Sequence, residues 1–243
     1  MAAGIVDDGL LPTVKQDCRQ GTMDTAYLFK DRKDAGRKLA ERLIKYAGTT
    51  VIVFGLPRGG VPVAAEVARM LKMPLDVFMV RKLGLPGNEE LALGAISAGG
   101  VRILNQDVIE MFDVPETVID QVTQKERRRL DDRQRVYRGE RAFPDVEGKT
   151  VILVDDGLAT GASMMAAVES VRHLKPGRIV VAVPVAPPSA CKELAVRVDE
   201  IICLYTPPMF EAVGAWYEDF SQISDDEVRE LIQRGNESGT EAG

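Results

Sequence analysis

Short apolar runs alternate with helix-like segments along most of this chain, and no other feature limits its possible folds as strongly. The apolar runs are rich in β-branched residues, as in strands that are covered on both faces. They occupy residues 50–55, 75–80, 150–154, 178–185 and 200–205, and the helix-like segments occupy residues 31–47, 61–72, 116–138, 161–174 and 188–196. Residues 94–97 and 101–104 have the pattern of a hairpin or edge pair. This order predicts an α/β fold with a mainly parallel central sheet and helices on both faces.

The length of the chain suits one large domain with short additions at its ends. Its 243 residues are 45% hydrophobic, which is enough for a single sizeable core. We expect that core over residues 25–206, after a loose N-terminal arm over residues 1–24. Residues 207–234 depart from the alternation and predict a small C-terminal hood packed on the core. The polar residues 235–243 predict a disordered tail.

Charge and cysteine usage argue against several classes of protein. The net charge is −6, with acidic and basic residues intermixed, so no global feature favours nucleic acid or an anionic membrane. Cys18, Cys191 and Cys203 are scattered, and His173 is the single histidine, which disfavours structural zinc. No apolar stretch has the length of a transmembrane helix, and the N-terminus lacks the pattern of a signal peptide. We therefore expect a cytoplasmic protein without a membrane partner.

The segment VDDGLATGAS, residues 154–163, follows a strand-like run and precedes a helix. At such a position the backbone N–H groups of Ala159, Thr160, Gly161, Ala162 and Ser163 would point outward at the positive end of the helix dipole. Gly161 allows close approach, and two hydroxyls can donate further hydrogen bonds. The segment predicts a phosphate cup, and an ordinary helix N-cap with nothing bound is the alternative.

Two carboxylates, Asp155 and Asp156, stand directly before this cup. Like charges repel, so a phosphate alone gains nothing from them, whereas a ligand that also carries hydroxyls or a metal ion does. A ribose 5-phosphate meets this requirement. The alternative is an aspartate pair in a turn or around Mg²⁺, as in a phosphorelay receiver. A nucleotide-binding P-loop is disfavoured because its GxxxxGK[ST] pattern does not occur.

A second candidate anion loop is GLPRGGVP, residues 55–62, which also lies between a strand and a helix. Gly59 and Gly60 would expose backbone N–H groups beside Pro57, and Arg58 supplies a fixed cation. In a parallel sheet both loops lie at the carboxyl ends of strands, where ligands collect. The alternative is a glycine-rich turn with a solvent-exposed arginine.

The stretch VILVDDGLATGAS resembles the phosphoribosyl pyrophosphate (PRPP) signature of the type I phosphoribosyltransferases, in particular a group of bacterial members, over about residues 26–234. One departure is Gly157, where many members have an aliphatic residue. The resemblance implies that Asp155 and Asp156 hold the ribose hydroxyls, and Mg²⁺ directly or through water, while residues 159–163 bind the 5-phosphate. It also implies a diphosphate site in the loop at 57–60, which members frequently build with a cis peptide. Leu56-Pro57 is the candidate for that bond.

Residues 80–97 contain Gly84, Pro86 and Gly87, which disfavour a helix and predict a polar, mobile excursion. The resemblance implies that this loop closes over the substrate and that Arg81 and Lys82 neutralise the departing diphosphate. Lys82 then belongs to the expected catalytic residues, together with Arg58, Asp155 and Asp156. A plain solvated connection is the alternative.

The predicted hood holds several of the aromatic residues, and Trp216 or Tyr217 would stack on a planar acceptor base. Simple packing of these rings on the core is the alternative. The arginine-rich residues 124–141 predict a solvated or dimer-facing helix, with nucleic-acid binding as the less favoured interpretation.

These features lead to a Mg²⁺-dependent phosphoribosyltransferase as the first hypothesis, with PRPP and a small acceptor as partners and a homodimer as the assembly that the resemblance implies. A PRPP-sensing or nucleotide-sensing regulatory protein without activity is the main alternative, and a hydrolase of phosphoribosyl compounds is a third.

Overall fold

A computed structural model of the protein describes residues 17–19 and 28–240. The strands are Asp17–Arg19 (β1), Val51–Gly55 (β2), Leu75–Val77 (β3), Val80–Leu85 (β4), Asn88–Ser97 (β5), Arg102–Leu104 (β6), Thr150–Val154 (β7), Arg178–Val185 (β8) and Glu200–Tyr205 (β9). The α-helices are Arg32–Leu43 (α1), Gly60–Leu71 (α2), Gln106–Met111 (α3), Glu116–Arg138 (α4), Ala162–His173 (α5), Pro188–Ala195 (α6) and Asp225–Thr240 (α7). Short 3₁₀ turns cover Ile44–Tyr46, Ala98–Gly100 and Val213–Trp216.

The main sheet has the strand order β1-β9-β8-β7-β2-β3, and its paired strands are parallel. Alternate residues of the central strands face opposite sides. Val53 and Ile152 pack in the cluster that contains α1 and α2, whereas Phe54 and Leu153 pack in the cluster that contains α5 and α6. The predicted α/β fold, with a parallel sheet between two helical layers, is confirmed. In residues 28–240 no helix combines the length and the hydropathy needed to cross a bilayer.

The segment at 80–97 differs from its prediction. Strands β4 and β5 form an antiparallel hairpin, and β6 extends it to a small second sheet. Pro86 and Gly87, interpreted from sequence as signs of irregular structure, lie at the turn of this hairpin, where Gly87 has a φ of 84°. The predicted pairing of 94–97 with 101–104 is confirmed by the register Ala95 to Ile103, although β5 begins six residues earlier, at Asn88.

The two ends of the chain also depart from the predicted boundaries. Residues 17–19 of the expected loose arm form β1 beside β9, and the rest of residues 1–24 lie outside the described part. Helix α7 contributes Val228 and Ile232 to the main core, so the second half of the predicted hood belongs to the core layers. The same helix continues to Thr240, into the predicted disordered tail, and residues 241–243 are not described.

Helix α4 is held on the core by a buried ion pair near its last residue. The Arg138 guanidinium donates through Nε to Asp76 Oδ1 of β3 at 2.7 Å and through Nη2 to the Val77 carbonyl. Only 3% of the Arg138 side chain is exposed. The last turn of the helix is therefore fixed against the carboxyl end of the sheet, while most of residues 124–141 are exposed, as the charge pattern predicts for a solvated helix.

Candidate active site

The two predicted anion loops meet at the carboxyl ends of adjacent strands. β2 and β7 are paired, with Gly55 opposite Val154, so the loops that follow them start side by side. A Cβ at position 59 would lie 2.0 Å from Asp156 Oδ2, and one at position 60 would lie 2.7 Å from the Val154 carbonyl oxygen. Because no side chain fits at either position, the glycines bring the first loop into direct contact with the carboxylate pair.

The first loop has two features that its sequence did not reveal. The Gly60 amide donates to the Leu56 carbonyl at 3.0 Å, so it is used within the loop, contrary to the prediction that it is exposed for an anion. The cis peptide bond lies between Pro57 and Arg58, which corrects the prediction of Leu56-Pro57. Arg58 itself lines the adjacent cavity, as a diphosphate-binding residue would.

Asp155 and Asp156 form a partly buried pair of like charge. The Asp156 amide donates to Asp155 Oδ1 at 2.9 Å. Burial, followed by repulsion from Asp156, holds the pKa of Asp155 well above its usual range. Burial also raises the pKa of Asp156, and the neighbouring Arg32 opposes that rise. The pair therefore binds protons more tightly than exposed carboxyls do, and a bound cation or hydroxyl donors would relieve the repulsion.

Arg32 at the start of α1 is a site residue that sequence reasoning missed. Its Nε donates to Asp156 Oδ2 at 2.7 Å and its Nη1 to the Ser221 carbonyl at 2.8 Å. The guanidinium also lies 3.8 Å from the centre of the Phe220 ring. Only 9% of the Arg32 side chain is exposed. Nothing in the local sequence separates this residue from the other basic residues of its helix, since its partners lie more than a hundred positions away.

The predicted phosphate cup forms the N-terminus of α5. Gly161 is the N-cap with a φ of 77°, and Thr160, Ala162 and Ser163 flank it at the helix start. The Thr160 hydroxyl accepts a long hydrogen bond of 3.4 Å from the Ala162 amide. The loop therefore presents the first amides of a twelve-residue helix on the same edge of the sheet as the carboxylates.

Gly157, the departure from the family signature, is explained by the hood. A Cβ at this position would lie 2.6 Å from Val213 Cγ1 and 3.1 Å from both Val185 Cγ1 and the Val185 carbonyl oxygen. An aliphatic side chain would thus displace the Val213–Trp216 turn. The absence of a side chain lets this part of the hood rest directly on the turn that follows the carboxylates.

We expect Gly157→Ala to cost about 1–3 kcal/mol of unfolding free energy, as overpacked side chains do. Adding Val213→Ala should recover part of that cost, because the nearest obstructing atom belongs to the Val213 side chain. Urea unfolding of the wild type, both single variants and the double variant measures the coupling. Full additivity of the two substitutions would show that Val213 is not the reason for the glycine.

A cavity of about 300 Å³ opens beside the two loops. It brings together five residues predicted for the site, and α4 adds two that were not predicted. The lining residues are Leu56, Pro57, Arg58, Phe78, Met79, Val80, Arg81, Arg133, Tyr137, Asp155 and Ser163.

The two basic residues predicted on the hairpin share one cavity, but only Arg81 also lines the cavity beside Asp155. Arg81 lines the cavity beside Asp155, and its Nε donates to Glu126 Oε2 of α4 at 2.6 Å. Lys82 lines the shared cavity between the hairpin and α4, together with Lys125 and Arg129. The structure therefore brings Arg81, and not Lys82, to the cavity shared with Arg58.

The two aromatic residues predicted for the acceptor have different environments. Tyr217 is 2% exposed, its ring packs between Phe29 and Phe220, and its hydroxyl donates to the Asp156 carbonyl at 2.5 Å. Trp216 is partly buried and stacks on Phe210, with 6.3 Å between the ring centres. Within the described residues its Nε1 is buried without a hydrogen-bond partner.

The family model for the phosphoribosyl transferase domain matches residues 27–216 of this chain. The chain belongs to this family. Two curated proteins from strains of Mycobacterium tuberculosis, both named "Putative phosphoribosyl transferase", are 46% identical to it over 216 residues. The match covers 89% of this chain and 49% of each relative, so the chain spans about half the length of those proteins.

A solved structure is also similar to this chain over most of its length. The crystal structure of the protein TT1426 from Thermus thermophilus is 44% identical to this chain, with a TM-score of 0.76. The alignment covers 85% of this chain and 98% of that one. The residues that match the phosphoribosyl transferase domain include both predicted anion loops, the carboxylate pair and the turn of the hood that contacts Gly157.

The carboxylates of this phosphoribosyl transferase domain fit a metal that arrives with its ligand. In residues 28–240 no group of three or more histidine, cysteine, aspartate or glutamate side chains is placed to hold a metal ion. The two carboxylates of Asp155 and Asp156 are enough for Mg²⁺, which is often held by one or two carboxylates together with substrate phosphates and water.

Proposed function

We propose that the protein transfers the 5-phosphoribosyl group of PRPP to a nitrogenous base or similar small acceptor and releases diphosphate, with Mg²⁺ as cofactor. The observation that carries the proposal is the direct contact of the Gly59-Gly60 loop with the Asp155-Asp156 pair. A sugar whose hydroxyls meet the carboxylates would then have its diphosphate beside Arg58 and its 5-phosphate at the start of α5.

The residues around the two loops have separate roles in this proposed reaction. Asp155 and Asp156 accept hydrogen bonds from the ribose hydroxyls, and residues 159–163 bind the 5-phosphate through backbone amides and hydroxyls. Arg58 and Arg81, with the loop at 57–60, bind the diphosphate. Arg32 positions the side chain of Asp156, and Tyr217 positions its backbone carbonyl group. Mg²⁺, held by the carboxylates and the diphosphate, would neutralise charge on the leaving group.

The reaction exchanges one bond at the anomeric carbon for another. The bond to the diphosphate oxygen breaks, with its electron pair leaving on the diphosphate, and a bond to the acceptor nitrogen forms. The acceptor nitrogen releases its proton to solvent. Positive charge develops on the ribose ring, and the nearby carboxylates stabilise it, while the arginines stabilise the opposite charge on the leaving group.

The hood is the proposed acceptor region. Trp216 is the candidate for contacting a base, because its Nε1 lacks a partner among the described residues and its ring is already part of a stacked pair. Tyr217 is less suited to stacking, since its ring is buried and already contacts two aromatic neighbours, Phe29 and Phe220. The family resemblance also leads us to propose that the protein acts as a homodimer in the cytoplasm.

Diphosphate release from PRPP and Mg²⁺, measured across purine, pyrimidine and pyridine bases, tests the proposed function. We expect turnover with one class of acceptor and loss of turnover in Asp155→Asn and Asp156→Asn. PRPP binding without turnover on any acceptor, lost in the same variants, would instead support the regulatory alternative. Release in the absence of any base would support the hydrolase. A wild-type protein that does not bind PRPP would overturn all three.

PRPP affinity should increase with pH. Ribose hydroxyls need the ionised carboxylate as acceptor, and the raised pKa of Asp155 keeps it protonated at pH values where an exposed aspartate is already charged. Binding then requires release of a proton, so the dissociation constant falls up to about tenfold per pH unit below that pKa and levels off above it. Calorimetric titration with PRPP measures this from about pH 5, just above the ordinary carboxyl pKa, to about pH 8.5, above neutral pH. A flat profile in the wild type would contradict the role assigned to Asp155.

A further inference from the structure

Helix α4 contributes a cation to the cavity that neither anion loop supplies. Arg133 and Tyr137, one helical turn apart, line this cavity together with Arg58 and Asp155. No local pattern separates Arg133 from the other arginines of residues 124–141. Its position in the fold does so, because Arg133 is the one cation of this helix, described over its whole length, that lines the cavity.

The orientation of Arg133 is fixed by two neighbours. Its Nη2 donates to Asp225 Oδ1 at 2.9 Å, and its Nε donates to the Tyr137 hydroxyl at 3.1 Å. The Tyr137 hydroxyl in turn donates to the same Asp225 oxygen at 2.7 Å. Tyr137 is 1% exposed, so its ring cannot move without disturbing the core. These hydrogen bonds use Nε and Nη2 of Arg133, so Nη1 is the nitrogen that we assign to a ligand.

The charges around the cavity favour an anion. Three arginines, Arg58, Arg81 and Arg133, line it, against one carboxylate, Asp155. Arg81 is already paired with Glu126, whereas Asp225 shares its charge between Arg133, the Tyr137 hydroxyl and the more distant Arg58. That hydroxyl, followed by the charges of Arg133 and Arg58, holds the pKa of Asp225 below its usual range, so the acceptor stays ionised.

We propose that Arg133 binds the diphosphate group directly, and that Tyr137 and Asp225 are positioning residues that aim its guanidinium into the cavity. This inference rests on the proposed function, because it assigns a further contact to the diphosphate of PRPP. Positive charge on that side of the site then comes partly from a helix that is anchored to the sheet through Arg138 and Asp76.

Separate binding measurements for the two ends of the substrate test the proposal. Inorganic diphosphate with Mg²⁺ probes the cavity, and ribose 5-phosphate probes the carboxylates and the phosphate cup. Arg133→Ala should weaken diphosphate binding about 10-fold to 100-fold, the usual loss for a charge-assisted hydrogen bond, and leave ribose 5-phosphate binding within about twofold. Tyr137→Phe, which keeps the ring but removes the hydroxyl, should weaken diphosphate binding by a smaller factor with the same selectivity.

Two further variants control for charge and for folding. Arg133→Lys keeps the charge and should retain part of the diphosphate affinity. Arg135→Ala removes a cation of the same helix that is 69% exposed and pairs with Asp132, and it should bind both probes as the wild type does. Diphosphate binding unchanged in Arg133→Ala, or equal losses for both probes, would overturn the inference and leave the proposed function standing. Failure of the wild type to bind either probe would overturn both.

Discussion

Replacing Asp155 with asparagine should strongly reduce the proposed phosphoribosyl transfer and at the same time stabilise the folded protein. The amide keeps the shape of the side chain but cannot supply the negative charge that the ribose hydroxyls and the developing positive charge require. We expect turnover to fall about 100-fold or more, the scale of losing one preorganised electrostatic group. The wild type carries this charge only at the expense of burying it, and secondly of repulsion from Asp156.

The gain in stability should depend on pH in a defined direction. The pKa of Asp155 is higher in the folded than in the unfolded protein, so the folded state binds more protons between the two values and the free energy of unfolding falls as pH rises there. Asparagine removes this loss. Asp155→Asn should therefore be more stable by about 0.5–2 kcal/mol near neutral pH, a common gain on relaxing a functional site.

Urea unfolding at neutral and at acidic pH measures the effect. Below the carboxyl pKa of the unfolded chain the aspartate is protonated in both states, so the advantage of the variant should disappear. Asp145→Asn is a suitable control, because the carboxyl of Asp145 is exposed, does not line the cavity and has a pKa lowered by the Glu147 amide and by Lys149, so its removal should bring no gain in stability. An Asp155→Asn variant that is less stable than the wild type at neutral pH would show that burial and repulsion are not what raises the pKa of Asp155.

Replacing Arg32 with alanine should impair both stability and substrate binding. The change leaves two carboxylates in a partly buried site with no guanidinium beside Asp156, and it removes the contacts of Arg32 with Ser221 and Phe220. Removing one partner of a buried pair typically costs about 3–5 kcal/mol of unfolding free energy. PRPP binding should weaken as well, since Asp156 loses the group that fixes its orientation.

A double-variant cycle separates the charge from the packing. Arg32→Ala/Asp156→Asn should be more stable than Arg32→Ala alone, because the unpaired carboxylate is gone. Arg37→Ala is the matched control on the same helix: its side chain is 48% exposed and lies 3.8 Å from Asp34, so less than about 1 kcal/mol is expected. Equal stability of the single Arg32 variant and the double variant would assign the cost to packing instead.

The parts of the site that lie next to each other in sequence were predictable. The parallel sheet follows from the alternation of elements, and the position of the two strand-to-helix loops follows from their glycines and hydroxyl residues, while anion binding by these loops stays a prediction. These signals are local, because a strand-to-helix turn places its own amides without help from distant residues. The contact between the loops follows from the pairing of β2 with β7, which the order of elements favours but does not specify.

The parts that depend on distant partners were not predictable. Arg32 and Asp156 are 124 positions apart, and Arg133 and Asp225 are 92 positions apart, so no local pattern marks either pair. The hairpin at 80–97 was missed for a different reason. Its turn contains Pro86 and Gly87, and such residues both interrupt helices and close hairpins. The pattern disfavours a helix, but it was interpreted as a sign of irregular structure when it also fits a β-hairpin.

The attachments of the hood to Asp156 limit how the proposed acceptor region can be redesigned. The Tyr217 hydroxyl donates a hydrogen bond to the Asp156 carbonyl. The Ser221 carbonyl accepts one from Arg32, which also pairs with the Asp156 carboxylate. A graft that exchanges residues 207–223 for those of another family member would therefore disturb the proposed sugar site along with the proposed acceptor region. A chimera that keeps Tyr217, Phe220 and the backbone at Ser221, and exchanges only residues 207–216, changes the region around Trp216 while preserving these attachments.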